Sequence, residues 1–301
     1  MHIFLTGGSG FIGSATTTEL LSAGHVVTAL ARSDAAAATI ESRGAQVVRG
    51  SLDDLDLLRS VAAESEAVVH LAFKHDIAFT GDYAGAAEAD RLAIEALGSS
   101  IGGNDPALVI ASGLAGLSFG RPTTEDDMPV RDGAASARIA GFEATLALAG
   151  LGVRSSAVRL APTVHGEGDG RFVKSYADVA KDKGVVAYVG DGSNRWPAVH
   201  RTDAASLFRL AVEQAAPGSV LHGSAEEGIA LKDIAEALGR QLDLPTASIA
   251  PDDAEAHFGW LDGFITMDVP ASSALTRDRL GWNPTGPTLL EDIEAGHYTA
   301  S

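Results

Sequence analysis

Between residues 2 and 160 the chain alternates two textures. Short apolar, β-branched runs at 2–6, 25–31, 45–49, 67–73, 107–111 and 153–160 read as strands. Between them, stretches in which Ala and Leu recur with helical character read as helices, at about 11–23, 34–43, 53–64, 84–101 and 134–149. Regular alternation of strand and helix predicts an α/β fold, a parallel sheet covered on both faces. After residue 160 the texture changes. Stretches 161–170 and 190–200, rich in Gly, Asp and His, read as loops. A strand at 219–223, helices at about 230–241 and 272–280, and aromatic turns in the tail complete a smaller lobe at the sheet's C-terminal edge.

Composition narrows the partners. The 301 residues are 46% hydrophobic, enough for a sizeable core, and carry 40 acidic against 22 basic side chains, a formal charge of −18. Such an excess repels nucleic acid and anionic membrane surfaces, whose affinity rests on Lys and Arg displacing counterions. With no cysteine there is no disulfide, thiolate nucleophile or Cys-ligated metal. No His-x-x-x-His or similar ligand spacing supports a metal site. No apolar run reaches the eighteen residues of a membrane span, and the apolar start is too short for a signal peptide. The expectation is a soluble, unprocessed, cytoplasmic protein whose partner is a small-molecule substrate, with a homodimer as the protein partner to consider.

The chemistry begins at Thr6-Gly7-Gly8-Ser9-Gly10-Phe11-Ile12-Gly13, directly after the first strand and opening the first helix. Glycines at 7, 10 and 13 permit a tight turn, let backbone amides approach a pyrophosphate, and let helix pack closely on strand. The helix start presents free N–H groups and the positive end of its dipole. This strand–turn–helix context predicts dinucleotide binding. The second strand ends Ala29-Leu30-Ala31-Arg32-Ser33, and Arg at that place accommodates a ribose 2′-phosphate where an acid would take the 2′-hydroxyl. Arg32 as a planar fork and Ser33 as hydroxyl donor therefore favour NADP(H) over NAD(H). Asp34 is expected to cap the next helix.

These residues carry a resemblance. The Thr-Gly-x-x-Gly-x-x-Gly turn, Gly50-Ser51-Leu52-Asp53-Asp54, Val69-His70-Leu71-Ala72, Arg159-Leu160-Ala161-Pro162-Thr163-Val164-His165-Gly166 and the later Trp196-Pro197-Ala198-Val199-His200-Arg201-Thr202-Asp203 together resemble the extended short-chain dehydrogenase/reductase superfamily, in its epimerase/dehydratase branch. The resemblance implies a Rossmann doubly wound sheet over 1–165, rejoined by about 200–225, and a small substrate-binding lobe formed by 166–199 and 226–301. It implies that Ser51 and Leu52 touch the adenine, that Ala72 and Phe73 line the pyrophosphate and ribose, and that Pro162 and Val164 meet the nicotinamide. Ser51 departs from the Asp usual there.

A larger departure lies in the active site. The family moves protons with a Tyr-x-x-x-Lys pair, and none of Tyr83, Tyr176, Tyr188 and Tyr298 has Lys four positions on. Placing Glu143 on the family's Glu puts Ala135 and Ile139 at the Tyr and Lys positions. The family's Ser falls near Ser112, and its Asn at Asp90. The chain thus resembles the atypical members that keep the cofactor site without the usual catalytic residues.

Substitutes should lie on loops at the carboxyl ends of the strands. His165 is the first choice as general acid, followed by Ser112, Lys74 and Tyr83, with Lys74 and Ser112 also beside the cofactor. The plainer alternative is that His165 and His200 make loop hydrogen bonds, that Lys74 and His75 cap a strand end, and that Ser112 forms a turn. Arg138 either orients a substrate or lies on a helix surface. The aromatics of His257-Phe258-Gly259-Trp260 pack the small lobe or line an apolar substrate pocket. Three functions follow: an NADP(H)-dependent reductase of small carbonyl or imine compounds, a non-catalytic NADP(H)-binding sensor or interaction protein, and, behind both, a sugar-nucleotide epimerase.

Overall fold

The computed structural model describes residues 1–78, 80–115, 117–129 and 137–299. The first part of the chain runs β1 His2–Thr6, α1 Phe11–Ser22, β2 Val26–Ala31, α2 Asp34–Glu41, β3 Gln46–Arg49, α3 Leu55–Ala63 and β4 Ala67–His70. It continues through α4 His75–Ala78, α5 Tyr83–Gly98, β5 Ala107–Gly113, α6 Ile139–Ala147 and β6 Arg154–Leu160. Next come β7 Thr163–His165, α7 Phe172–Lys183, β8 Val186–Val189, β9 Arg195–His200, α8 Arg201–Gln214 and β10 Ser219–Gly223. The last part holds β11 Glu226–Ala230, α9 Leu231–Leu242, β12 Thr246–Ile249, α10 Ala254–Phe258, α11 Asp262–Ile265, α12 Ala274–Leu280 and α13 Leu289–Glu294.

Seven strands form one parallel sheet in the order β10-β6-β5-β4-β1-β2-β3. The chain moves outward from β1 to β3, then returns to place β4 on the other side of β1. The carboxyl ends of β1 and β4 therefore flank the switch point, where doubly wound sheets open a crevice. Strand side chains alternate between the two faces. Ile3 and Leu5 join Leu20, Ile40, Leu207 and Phe208 under α1, α2 and α8, while Phe4 joins Leu58, Leu97 and Phe142 under α3, α5 and α6.

The sheet pairing of β4 stops at His70, so 71–74 runs as a loop over the strand ends instead of extending the strand to Phe73. The helix expected at 134–149 is seen as α6 with a 3-10 turn Leu148–Leu151, its first residues 134–136 lying outside the described residues. The stretches read as loops need correction: β7 and β9 lie within them, pair in parallel, and have β11 antiparallel on the far edge of β9. Their shortness and the proline at 197 masked an apolar run, Trp196 to Val199, that the structure buries. Helix α7 was legible in principle, since Val173, Tyr176, Ala177 and Ala180 fall at helical spacing and are buried.

A second core gathers Val173, Tyr176, Trp196, Leu231, Leu238 and Phe258 with Leu289, Ile293 and Tyr298. Helix α8 belongs to the first core and lies against α1, with Arg209 Nε donating to Glu19 at 2.7 Å and His25 within 2.9 Å of Glu213. No helix among the described residues is long and apolar enough to cross a membrane.

Candidate functional site

At the end of β1 the chain turns at Gly7, whose φ of 75° suits glycine. A Cβ on Gly7 would stand 2.8 Å from Ala72 N, and one on Gly13 only 1.9 Å from the Gly7 carbonyl oxygen, so neither position has room for a side chain. Gly10 is exposed and caps α1 with no side-chain hydrogen bond, and the first turn, Phe11, Ile12 and Gly13 included, contains no acid. The helix start is thus open to an external anion. Ala72 N–H donates to Thr6 Oγ1 at 3.2 Å, fastening the loop after β4 to the turn.

On the far side, Ala31 pairs with Arg49 in parallel register, so Arg49 ends β3 and Arg32 follows β2 at the neighbouring strand end. Arg32 Nη1 contacts Asp76 Oδ2 at 2.8 Å with both side chains exposed. Arg49 donates to Ser33 O at 2.6 Å and to Asp34 Oδ1 at 2.5 Å. The cap expected of Asp34 comes instead from Ser33, whose Oγ accepts Ala36 N–H at 3.2 Å, while Asp34 sits in the first turn. Arg49 was missed, although its place at the end of the neighbouring strand is readable from the run that predicts β3. Ser51 donates its N–H and hydroxyl to Asp54 Oδ2 at 2.7 and 3.1 Å, which brings a carboxylate to the loop where the usual Asp is missing. Leu52 is buried in the core under α3. Lys74 Nζ is held by both carboxylate oxygens of Asp53 at 2.5 and 2.7 Å, so its ammonium links two loops rather than standing free for proton transfer.

At the other end of the crevice a buried chain of contacts leads outward. Thr6 Oγ1 lies 2.8 Å from His70 Nδ1, and His70 Nε2 lies 3.1 Å from Asp90 Oδ1. Burial pushes the Asp90 carboxyl up, but the His70 hydrogen bond and the charges of His70 and Arg138 hold it below its ordinary value. Both ring nitrogens of His70 are thus engaged, Nε2 by the Asp90 carboxylate and Nδ1 by the Thr6 hydroxyl. Asp90 Oδ2 lies 3.5 Å from Arg138 Nη2, which also donates to Ala111 O at 3.0 Å. The Arg138 guanidinium lies over the Phe73 ring, 4.4 Å from its centroid, with Tyr83 at 5.9 Å and His75 at 5.1 Å from the same ring. Burial raises the Tyr83 pKa while the Arg138 charge opposes the rise, so the phenol stays protonated at neutral pH. Partial desolvation of the His75 ring, which meets Phe73 edge-on, then the charges of Arg171 and Arg138, lower that imidazole to about 4. Ser112, part-buried near the end of β5, pairs in register with Arg159, and its hydroxyl makes no hydrogen bond among the described residues. Pro162 and Val164, also part-buried, flank Thr163 at the start of β7.

His165 is elsewhere. It is 0% exposed, with Nδ1 2.5 Å from Asp292 Oδ2, and it packs edge-on to His200 at 5.5 Å. Burial lowers its pKa. As placed, its ring has no surface to offer a substrate, because β7 pairs with β9 and turns this side chain toward α13. His200 caps α8, its Nδ1 accepting Thr202 N–H at 3.4 Å. Ala135 lies outside the described residues, while Ile139 is buried at the start of α6.

A doubly wound parallel sheet with an open, glycine-lined helix start at its switch point defines a dinucleotide-binding oxidoreductase fold. The family model for the NAD dependent epimerase/dehydratase family matches residues 3–222, and the chain belongs to that family. An uncharacterized protein of Schizosaccharomyces pombe is 45% identical over 302 residues, 99% of this chain and 100% of the relative. One of Saccharomyces cerevisiae is 44% identical over 299 residues, 99% of each chain. Among solved structures, a dTDP-glucose 4,6-dehydratase of Streptomyces venezuelae with NAD bound superposes with a TM-score of 0.77 at 18% identity, covering 99% of this chain and 96% of that one. The uncapped start of α1 and the two Cβ-free positions at Gly7 and Gly13 fit the nicotinamide dinucleotide that the family uses.

Proposed function

We propose that the chain is an NADP(H)-dependent reductase of small carbonyl or imine compounds with Tyr83 in place of the missing active-site tyrosine. The observation that carries this reading is the grouping of Tyr83, Arg138 and Phe73 at the carboxyl ends of β4 and β5, beside the open crevice. Arg32 and Arg49 support the 2′-phosphate form, two guanidiniums at adjacent strand ends where the adenosine ribose would lie. A bound reduced nicotinamide supplies a hydride to the carbonyl or imine carbon. The chain's own part is the proton. Tyr83 hydroxyl gives it to the substrate's oxygen or nitrogen, and the Arg138 charge stabilises the phenolate until solvent returns the proton. In this reading Ser112 donates a hydrogen bond to the same atom. Asp90, His70 and Thr6 act as positioning residues that hold Arg138 against Ala111.

The test is NADPH consumption by the purified chain across aldehydes, ketones, quinones and imines. Tyr83→Phe is expected to lower turnover on any accepted compound by about 100-fold or more, while NADPH affinity by fluorescence stays within about twofold. A second reading, a non-catalytic NADP(H)-binding protein, is favoured by the absent Tyr-x-x-x-Lys. Tight NADPH binding with no consumption on any compound would establish it and remove the reductase.

A further inference from the structure

The small lobe carries a cation beside an aromatic plate whose purpose the reduction alone does not explain. Arg171 is the N-cap residue of α7, and its backbone N–H donates to Asp169 Oδ1 at 2.9 Å. Asp169 is buried, 6% exposed, and accepts the Tyr298 hydroxyl at 3.0 Å, so the main chain at 171 is fixed from inside the lobe. The Arg171 side chain is exposed and its guanidinium makes no contact ion pair or hydrogen bond among the described residues, its charge acting only at longer range on the Asp169 carboxyl. In this acidic chain that is unusual: Arg32, Arg49, Arg91, Arg121, Arg195 and Arg209 are all paired with carboxylates. The His75 ring on the opposite wall feels the charges of both Arg171 and Arg138.

Next to Arg171 the chain places Phe172, whose ring lies 4.4 Å from Phe264 and 6.2 Å from Trp260. Trp260 keeps 59% of its surface exposed. An apolar plate adjoining a guanidinium with no contact partner matches a ligand with one anionic end and an apolar body.

We propose that this wall is a carboxylate subsite and that the substrate is an amphipathic oxo acid. Arg171 takes the carboxylate, Phe172 and Trp260 cover the apolar body, and the carbonyl end reaches Tyr83 and Arg138. Only the last of these placements rests on the reductase reading.

Trp196 and Trp282 are buried, 1% and 2% exposed, so indole fluorescence responsive to ligand reports chiefly on Trp260. The chain, with and without NADP+, is titrated with 4-phenylbutanoate and with its methyl ester. Expected is at least tenfold tighter binding of the acid, in line with about 10- to 100-fold for a charge-assisted hydrogen bond. Arg171→Gln should bring the acid-to-ester ratio to within about twofold, Arg171→Lys should restore most of it, and Trp260→Phe should remove the signal. Equal binding of acid and ester, or a preference that survives Arg171→Gln, overturns the subsite. An acid preference without NADPH consumption on any oxo acid leaves the subsite standing and removes the reductase. Consumption on neutral ketones without an acid preference does the reverse.

Discussion

Single residues decide whether the crevice can form. At Gly13 a methyl group would be driven into the Gly7 carbonyl oxygen, and neither backbone segment can move without parting α1 from β1. Gly13→Ala is expected to cost about 1–3 kcal/mol or more and to abolish NADPH binding, read by thermal denaturation and fluorescence titration. Arg32→Ala should weaken NADPH about 10- to 100-fold and NADH by less than about threefold. Equal losses for the two would show that the 2′-phosphate lies elsewhere. Because Asp76 competes for the same guanidinium through an exposed contact, Asp76→Asn should tighten NADPH by no more than about fivefold. The glycine turn was legible in the sequence because its conformation excludes other residues. The side on which His165 would point was not, since facing depends on how β7 pairs, and no local pattern in a three-residue strand reports that.

At the scale of elements, the first sheet could be read from the sequence because each strand is an apolar run bounded by a turn. The small lobe could not, because its strands β7, β9 and β11 are held by pairing across the chain and by polar contacts buried between elements. Chief among these is Asp292 on α13, 2% exposed, with His165 at 2.5 Å, His200 at 3.9 Å and His297 at 3.4 Å. Asp292→Ala leaves the buried His165 imidazole without its acceptor and is expected to destabilise the lobe by about 3 kcal/mol. Limited proteolysis within 226–301 should accelerate while α1 and α8 stay protected from hydrogen exchange. Uniform loss of protection across both cores would show that the lobe has no stability of its own.

For the molecule as a whole, several imidazoles are kept neutral by folding. Burial lowers His222 to about 4 and depresses His165 and His200 in the same direction. An unfolded histidine titrates near 6.5, so below that pH the unfolded chain binds more protons than the folded one. Stability is therefore full above about pH 6.5 and falls toward pH 4, by up to about 1.4 kcal/mol per pH unit for each withheld proton. Melting temperature should decline from pH 7 to pH 5 at constant ionic strength, before carboxylates with lowered pKa such as Asp268 contribute. A flat profile over that range would contradict the burial of these rings. The net charge of −18 acts at longer range, and raising salt from about 10 to 150 mM should speed NADPH association by screening the repulsion that an anionic cofactor meets on approach.

The packing of α8 on α1 also sets a timetable for synthesis. Residues 201–214 supply Leu207, Phe208, Ala211 and Val212 to the core that Leu20 and Val27 share, and Arg209 and Glu213 clasp Glu19 and His25 across it. A chain released at residue 165 would hold six of the seven strands of its main sheet and leave that face wet. The nucleotide-binding half is thus a product of the middle of the chain as much as of its beginning. While ribosomes are still adding residues 166–214, the apolar face of α1 waits uncovered, a client for holding chaperones and the place where premature termination leads to aggregation.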